Sequence, residues 1–311
     1  MPASTFVLKL NNLTERLNDY YELCKPRVVM LIVFTAIIGM FLATPTSNPG
    51  LVPFEILVFG SFGIGFAAAS AAAINQLVDR KVDAIMNRTS NRPLPTGHMT
   101  NTQALIFAIG LGIFAMALLI IFVNLLTAAL TFASLIGYAV IYTMFLKRAT
   151  PQNIVIGGAA GAAPPVLGWT AVTGFPDADS WLLFLIIFAW TPPHFWALAI
   201  HRRDEYAKVD IPMLPVTHGI KFTRLHVLLY TIILLLVSLL PFISGMSGLF
   251  YLVSAVILGL IFLIYAIRLH AGKDGKIAMQ TFGFSIIYLM LIFTVLLVDH
   301  YIPLIKTIFQ G

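Results

Sequence analysis

Cysteine is almost missing from this chain. Cys24 is the sole one in 311 residues, so no intrachain disulfide can form and a secreted, disulfide-framed scaffold is excluded. Charge is scarce as well. Only 10 % of residues are Asp, Glu, Lys or Arg, against about 25 % in an ordinary soluble domain. The remainder is 59 % hydrophobic with a mean hydropathy of +0.93, more apolar surface than a water-soluble core of this length could cover. The same hydrophobicity excludes disorder. A cleavable leader is not evident either. The first 27 residues are polar or amphipathic, and Glu15, Asp19 and Glu22 among them also argue against a mitochondrial transit peptide.

What is present is a series of long apolar runs, near 28–43, 52–77, 103–123, 125–146, 152–173, 181–201, 222–242, 248–269 and 278–298. A helical crossing needs about 20 residues. The runs lack the alternation of barrel strands, so an all-α polytopic membrane bundle of nine transmembrane helices is expected. With nine spans, 18 of the 19 Lys and Arg residues fall on one side, only Lys306 lying opposite. The positive-inside rule then puts the N-terminus in the cytoplasm and the C-terminus outside. The +6 net charge reflects this topology; nucleic-acid binding is not expected. The expected organisation is a cytoplasmic segment 1–27, a membrane domain 28–298 with cytoplasmic loops 78–102 and 202–221, and an external tail 299–311. Segment 6–23 reads as an amphipathic surface helix or a solvated lead-in. Spans 2 and 6 both run into a long acidic-and-basic connection, and Asp83 and Asp210 are 127 positions apart. Two pseudo-repeated four-helix halves plus one helix account for that spacing.

The first connection carries Asn75, Asp79 and Asp83 at i, i+4 and i+8, one stripe of a helix. Carboxylates four apart repel, and topology does not require them; a hard cation such as Mg²⁺ gives them a purpose. Arg88 and Arg92 follow in a loop shaped by Pro93, Pro95 and Gly97, and guanidinium forks suit phosphate oxygens. The competing reading is a solvated loop of mutually neutralising charges. The second connection holds Asp204, Tyr206, Lys208 and Asp210, with Pro212 closing the helix. Two such clusters at one membrane depth can hold metal ions with a diphosphate between them.

His194 lies inside span 6, about 10 Å from its cytoplasmic end at ~1.5 Å per residue, and His201 is seven positions on. An intramembrane histidine is a functional candidate, while the plainer reading is a hydrogen bond within the bundle beside Pro192-Pro193. Tyr138, Tyr142, Phe195, Trp196 and Tyr206 could face a cation. Gly157, Gly158, Gly161 and the alanine-rich run 67–73 read first as close-packing sites, with room for a flat ring or a prenyl tail as the alternative. Trp169 and Trp181 read as interface anchors.

Asn75-x-x-x-Asp79-x-x-x-Asp83 followed by Arg88, Thr89, Arg92 and Gly97 resembles the first motif of the UbiA-type intramembrane prenyltransferases, and 204–210 resembles their second, without the repeated aspartates of many relatives. Lys25-Pro26-Arg27, the stretch 147–158 and the stretch 191–215 are similar to the haem-farnesylating members of that family. The resemblance implies a prenyltransferase with farnesyl diphosphate and haem B as substrates and haem O and diphosphate as products. It implies Mg²⁺ on Asn75, Asp79, Asp83, Asp204 and Asp210, diphosphate on Arg88, Arg92, Lys147 and Lys208, substrate contact by Tyr206, and for His194 or His201 a role in ligating haem iron or orienting the porphyrin. It further implies a bacterial cytoplasmic membrane and, as partners, the lipid bilayer and a haem A synthase or terminal oxidase assembly. A quinone-type aromatic acceptor, and outside this class a transporter or a non-enzymatic haem-binding protein, stand as alternatives. Charges gathered at one membrane face speak against transport.

Overall fold

The structure, a computed structural model, describes residues 14–45, 50–272 and 275–310. Among these residues every regular element is helical. The chain begins with α1 (Thr14–Leu23), bends by 54°, and continues as α2 (Pro26–Leu42). The bend falls at Lys25, a non-glycine residue held at φ 51°, and Pro26 opens the next helix where its missing N–H costs nothing. There follow α3 (Phe54–Asp83), α4 (Asn101–Phe122), α5 (Leu125–Ala149), α6 (Asn153–Thr173), α7 (Ala178–His201), α8 (Gly219–Ile243), α9 (Leu249–Ala271) and α10 (Gly275–Gln310). Eight of these are long and apolar enough to cross a membrane alone, and α1 with α2 makes a ninth as a bent pair. The chain is therefore a multi-pass membrane protein.

The spans fall where the hydropathy put them, with two differences. Helix α3 runs on through Asp83, so the whole Asn75–Asp83 stripe sits on unbroken helix. Helix α10 continues to Gln310 through the stretch read as a tail. Of the expected amphipathic segment 6–23, residues 6–13 lie outside the described residues; the rest is α1, which keeps Leu17 and Tyr21 exposed and buries Leu23. Gln76 of α3 donates to the Glu22 and Leu23 carbonyls at the end of α1.

The helices divide into inner and outer sets. Seventy-two per cent of the α7 span is buried inside the protein, 61 % of α6 and 56 % of α3, against 17 % for α4. Helix α4 is the more hydrophobic by composition because its Ile and Phe side chains meet lipid, as an apolar exterior must in a bilayer. The inner helices instead carry glycine and alanine, which let backbones approach. Helix α2 lies against the second half of α6, with Gly39 facing the Pro165 carbonyl and Gly168 facing the Ala36 carbonyl; no Cβ fits at either place. Trp169 is buried, a correction to its reading as an interface anchor: it turns inward into this contact region, whereas Trp181 is exposed. Helix ends are capped where charge is cheap. Thr100 and Gln103 form a capping box on α4, and Asp299 of α10 accepts from the Gly248 and Tyr251 amides at the start of α9.

Gly168→Ala should push α2 from α6 and destabilise the protein by about 1–3 kcal/mol, read as a lower melting temperature in detergent. Gly110→Ala, with open space around it, should leave that temperature unchanged.

Candidate active site

Five residues of α3 form one row with a spacing of four: Ala67, Ala71, Asn75, Asp79 and Asp83. The row passes from small apolar side chains to polar ones toward the end that carries the basic connections, and all five are buried. A carboxylate can be buried only with a partner. Lys147, from the end of α5, supplies it to Asp79 at 2.5 Å, and Arg148 approaches the other oxygen at 3.8 Å. Asp83 is held by Arg92, whose Nη1 lies 2.7 Å from Oδ2. Asn75 donates to Asp79 and to Thr143 of α5, and accepts from Lys25. The approach of α5 depends on a π-helical stretch over Gly137–Leu146, in which Thr143 bonds the carbonyl of Tyr138, five residues back. Such widened turns are frequent at functional sites.

The two connections meet. Met86 of the first packs in one apolar cluster with Tyr206, Ile211, Met213 and Leu214 of the second. Arg88 lies within electrostatic reach of Asp83, Tyr206 and Arg202. Burial pushes the Tyr206 hydroxyl up from its usual range, with Arg88 and Arg202 pulling it back, so it is a proton-bearing donor at neutral pH. The other residues of the second motif are placed differently. Asp204 is exposed and pairs with neighbouring Arg203; Lys208 and Asp210 are exposed, Asp210 at φ 52°. His201 is exposed at the end of α7.

Next to the polar row opens an apolar chamber of about 860 Å³. Ligand pockets commonly span ~300–1,000 Å³. Helix α3 lines it with Ile64, Ala67, Ala68, Ala71 and Ala72, and α7 with Ile187, Trp190, Thr191, His194 and Phe195, each a single helical face. Lys25, Arg27, Tyr138 and Tyr142 stand among its lining residues, so the chamber reaches the polar cluster. The glycines of α6 divide between the two readings given them. Gly157 receives the ring of Tyr142 and Gly158 the side chain of Thr191, whereas Gly161 faces open space in the chamber wall. His194 has a partner in the bundle: its Nδ1 lies 2.6 Å from Ser285 Oγ of α10.

Whether these residues suit a divalent cation can be judged from one atom. Asp79 Oδ1 is sealed from solvent without a hydrogen-bond partner. With the Arg148 guanidinium no nearer than 3.8 Å, such a buried carboxylate oxygen is costly unless a ligand completes it. Among the described residues no three acidic, histidine or cysteine side chains converge into a closed cage. The open Asp79 oxygen, not a closed cage, is what a divalent cation could use here. The sequence reading passed over Lys25, Thr143 and Ser285 as site residues. Lys25 stood in a quoted motif; nothing local marks the other two, whose partners lie 68 and 91 positions away.

The chain matches the UbiA prenyltransferase family over residues 32–295. It is 65 % identical to the protoheme IX farnesyltransferase of Methylococcus capsulatus over 92 % of this chain and 94 % of that protein. It is 60 % identical to the protoheme IX farnesyltransferase of Nitrosococcus oceani, with the same shares covered. Among solved structures, one from work on digeranylgeranylglyceryl phosphate synthase superposes with a TM-score of 0.76 at 20 % identity, covering 92 % of this chain and 99 % of that one. A UbiA homologue from Archaeoglobus fulgidus bound to GPP and Mg²⁺ gives a TM-score of 0.59 at 16 % identity over 89 % of this chain and 99 % of that one. At these identities the structural likeness establishes the fold.

Arg92→Ala should remove a charge-assisted contact worth about 1.5–3 kcal/mol and leave Asp83 buried beside a loosened loop. Limited proteolysis within 84–100 should accelerate in Arg92→Ala and not in Arg80→Ala, whose guanidinium bonds its own helix backbone.

Proposed function

The chain belongs to the UbiA prenyltransferase family, and from that membership we propose that it transfers the farnesyl group of farnesyl diphosphate to the vinyl group of haem B, giving haem O and diphosphate. The observation that carries this reading is the α3 row, in which alanines lining an apolar chamber lead into buried carboxylates paired with cations, Lys25 touching both the chamber and Asn75. An allylic diphosphate has these two halves, a polyanionic head and an oily tail. The relatives at 59–65 % identity, named for farnesyl transfer to protohaem, favour haem over a quinone-type acceptor.

Asn75, Asp79 and Asp83 would hold Mg²⁺; the exposed Asp204, paired with Arg203, and the exposed Asp210 do not converge with them among the described residues. When bound, the metal neutralises the departing diphosphate. Lys25, Arg88, Arg92, Lys147 and Lys208 supply positive charge to the diphosphate oxygens, and Tyr206 donates a hydrogen bond to them. The C1–O bond breaks with both electrons leaving on diphosphate. The vinyl terminus of haem B then bonds to C1, the resulting cation beside the porphyrin is captured by water, and a proton is lost to solvent. The chamber keeps water from the first, more reactive cation. Tyr138 and Tyr142, stacked on each other at 5.5 Å, line that chamber and are the aromatic rings available to stabilise a cation in it. His194 would meet the acceptor within the chamber; His201 is exposed at the end of α7 and is not among the lining residues. The charge asymmetry favours the polar end on the cytoplasmic side, in keeping with a bacterial inner membrane, and a haem A synthase or terminal oxidase assembly is the proposed consumer of the product.

Purified protein incubated with haem B, farnesyl diphosphate and Mg²⁺ should yield a haem carrying the farnesyl group plus one water, read by mass spectrometry; absence of that product with active Mg²⁺-loaded protein would refute the reading. Asp79→Ala and Asp83→Ala should lower turnover at least ~100-fold, the usual scale for a lost electrostatic stabiliser, while remaining inserted in the membrane. Chelation should stop the reaction and added Mg²⁺ restore it.

A further inference from the structure

Ser285 makes three contacts that together define one imidazole. Its hydroxyl lies 2.6 Å from His194 Nδ1 and 2.6 Å from the carbonyl of Phe282. Its own carbonyl accepts from Trp190 Nε1 at 2.7 Å. A hydroxyl has one proton to give. The Phe282 carbonyl can only accept, so that proton goes there and an Oγ lone pair faces the histidine. Nδ1 of His194 must then carry the ring proton and donate, which leaves Nε2 with a free lone pair.

The ring is fixed in plane as well as in tautomer. Trp190 stacks on one neighbour side at 4.2 Å and 20°, and Phe282 stacks at 4.6 Å and 27°. Those stacking contacts cover ring faces, and Phe195 meets the imidazole perpendicularly at 5.1 Å and 83°. Trp190, His194, Phe195 and Phe282 all line the apolar chamber. A porphyrin there cannot lie flat on the imidazole; it can be met by a nitrogen. That is how an axial ligand approaches haem iron, with its other nitrogen held by a hydrogen-bond acceptor. The hydrogen bond within the bundle that the plainer reading expects is present, and its partner, Ser285, comes from another helix.

Resting on haem B as the acceptor, we propose that Ser285 is a positioning residue that fixes the His194 tautomer and thereby presents Nε2 to the haem iron as an axial ligand. Ligation anchors the macrocycle so that its vinyl group faces the allylic carbon.

The test uses the full chain in detergent, titrated with ferric haem B without farnesyl diphosphate, and reads the visible and paramagnetic resonance spectra. Wild type should show an imidazole-ligated iron. His194→Ala should lose that signature, and added imidazole should restore it. Ser285→Ala should weaken haem binding about 10–100-fold, the usual cost of losing a partner behind a metal ligand. It should raise KM for haem B while KM for farnesyl diphosphate stays constant. Ser285→Thr, which keeps the hydroxyl, should retain the wild-type spectrum and affinity. An unchanged spectrum in His194→Ala would overturn the proposal, as would equal haem affinity in Ser285→Ala and Ser285→Thr. If His194→Ala does not fold, the two Ser285 variants decide. Wild-type protein that farnesylates haem B, with a spectrum indifferent to His194, defeats only the iron ligation; wild-type protein that makes no farnesylated haem defeats the acceptor assignment itself.

Discussion

The contact between Lys147 and Asp79 sets the arrangement of the inner helices. A carboxylate with 4 % of its side chain exposed cannot remain ionised alone; the desolvation cost is several kcal/mol. The cation that relieves it comes from α5, so α5 must stand beside α3 in one register. Asn75 and Thr143 fasten the same pair one turn deeper. With α5 in place, the Tyr142 ring lies in the hollow at Gly157 and locates α6. Gly168 of α6 then seats against the Ala36 carbonyl and locates α2, whose leading Lys25 returns to Asn75. The path closes on itself. A polar requirement at one side chain is relayed by packing around four helices.

That closed path also separates two environments which the proposed chemistry needs near each other. Diphosphate requires fixed positive charge and a cation site, and an allylic carbocation requires the exclusion of water. Here a single helix face provides both, because small residues on α3 give way to amide and carboxylate within one row. The left-handed backbone at Lys25 belongs to the same economy. Non-glycine residues hold such angles where the surroundings enforce them, often beside functional groups. The strain aims an ammonium group from the bend between α1 and α2 at the Asn75 amide.

The two acidic connections looked alike as strings and differ in space. In the first, Asp79 and Asp83 lie on the last turns of an inner helix and are enclosed by neighbours. In the second, the chain leaves α7 at Arg202, and Asp204, Lys208 and Asp210 stay at the surface while Tyr206 turns in to meet Met86. Burial depends on what packs across from a residue, which neighbouring letters do not record. Trp169 shows the same effect: its place near the end of an apolar run matched an interface anchor, yet the α2–α6 approach enclosed it.

From the sequence by itself came the properties that local geometry dictates. Apolar length set the spans, basic residues sorted the connections onto one side, and a spacing of four put Asn75, Asp79 and Asp83 on one stripe, because an α-helix repeats about every 3.6 residues whatever surrounds it. The tertiary structure alone decided which cation meets which acid, that Gly157 and Gly158 are filled while Gly161 is open, and that Ser285 stands behind His194. The Lys25–Asn75, Lys147–Asp79 and His194–Ser285 pairings join positions 50, 68 and 91 residues apart. They arise from helices competing for close contact and from buried polar groups seeking partners, an outcome of the whole bundle that no local window of the chain contains.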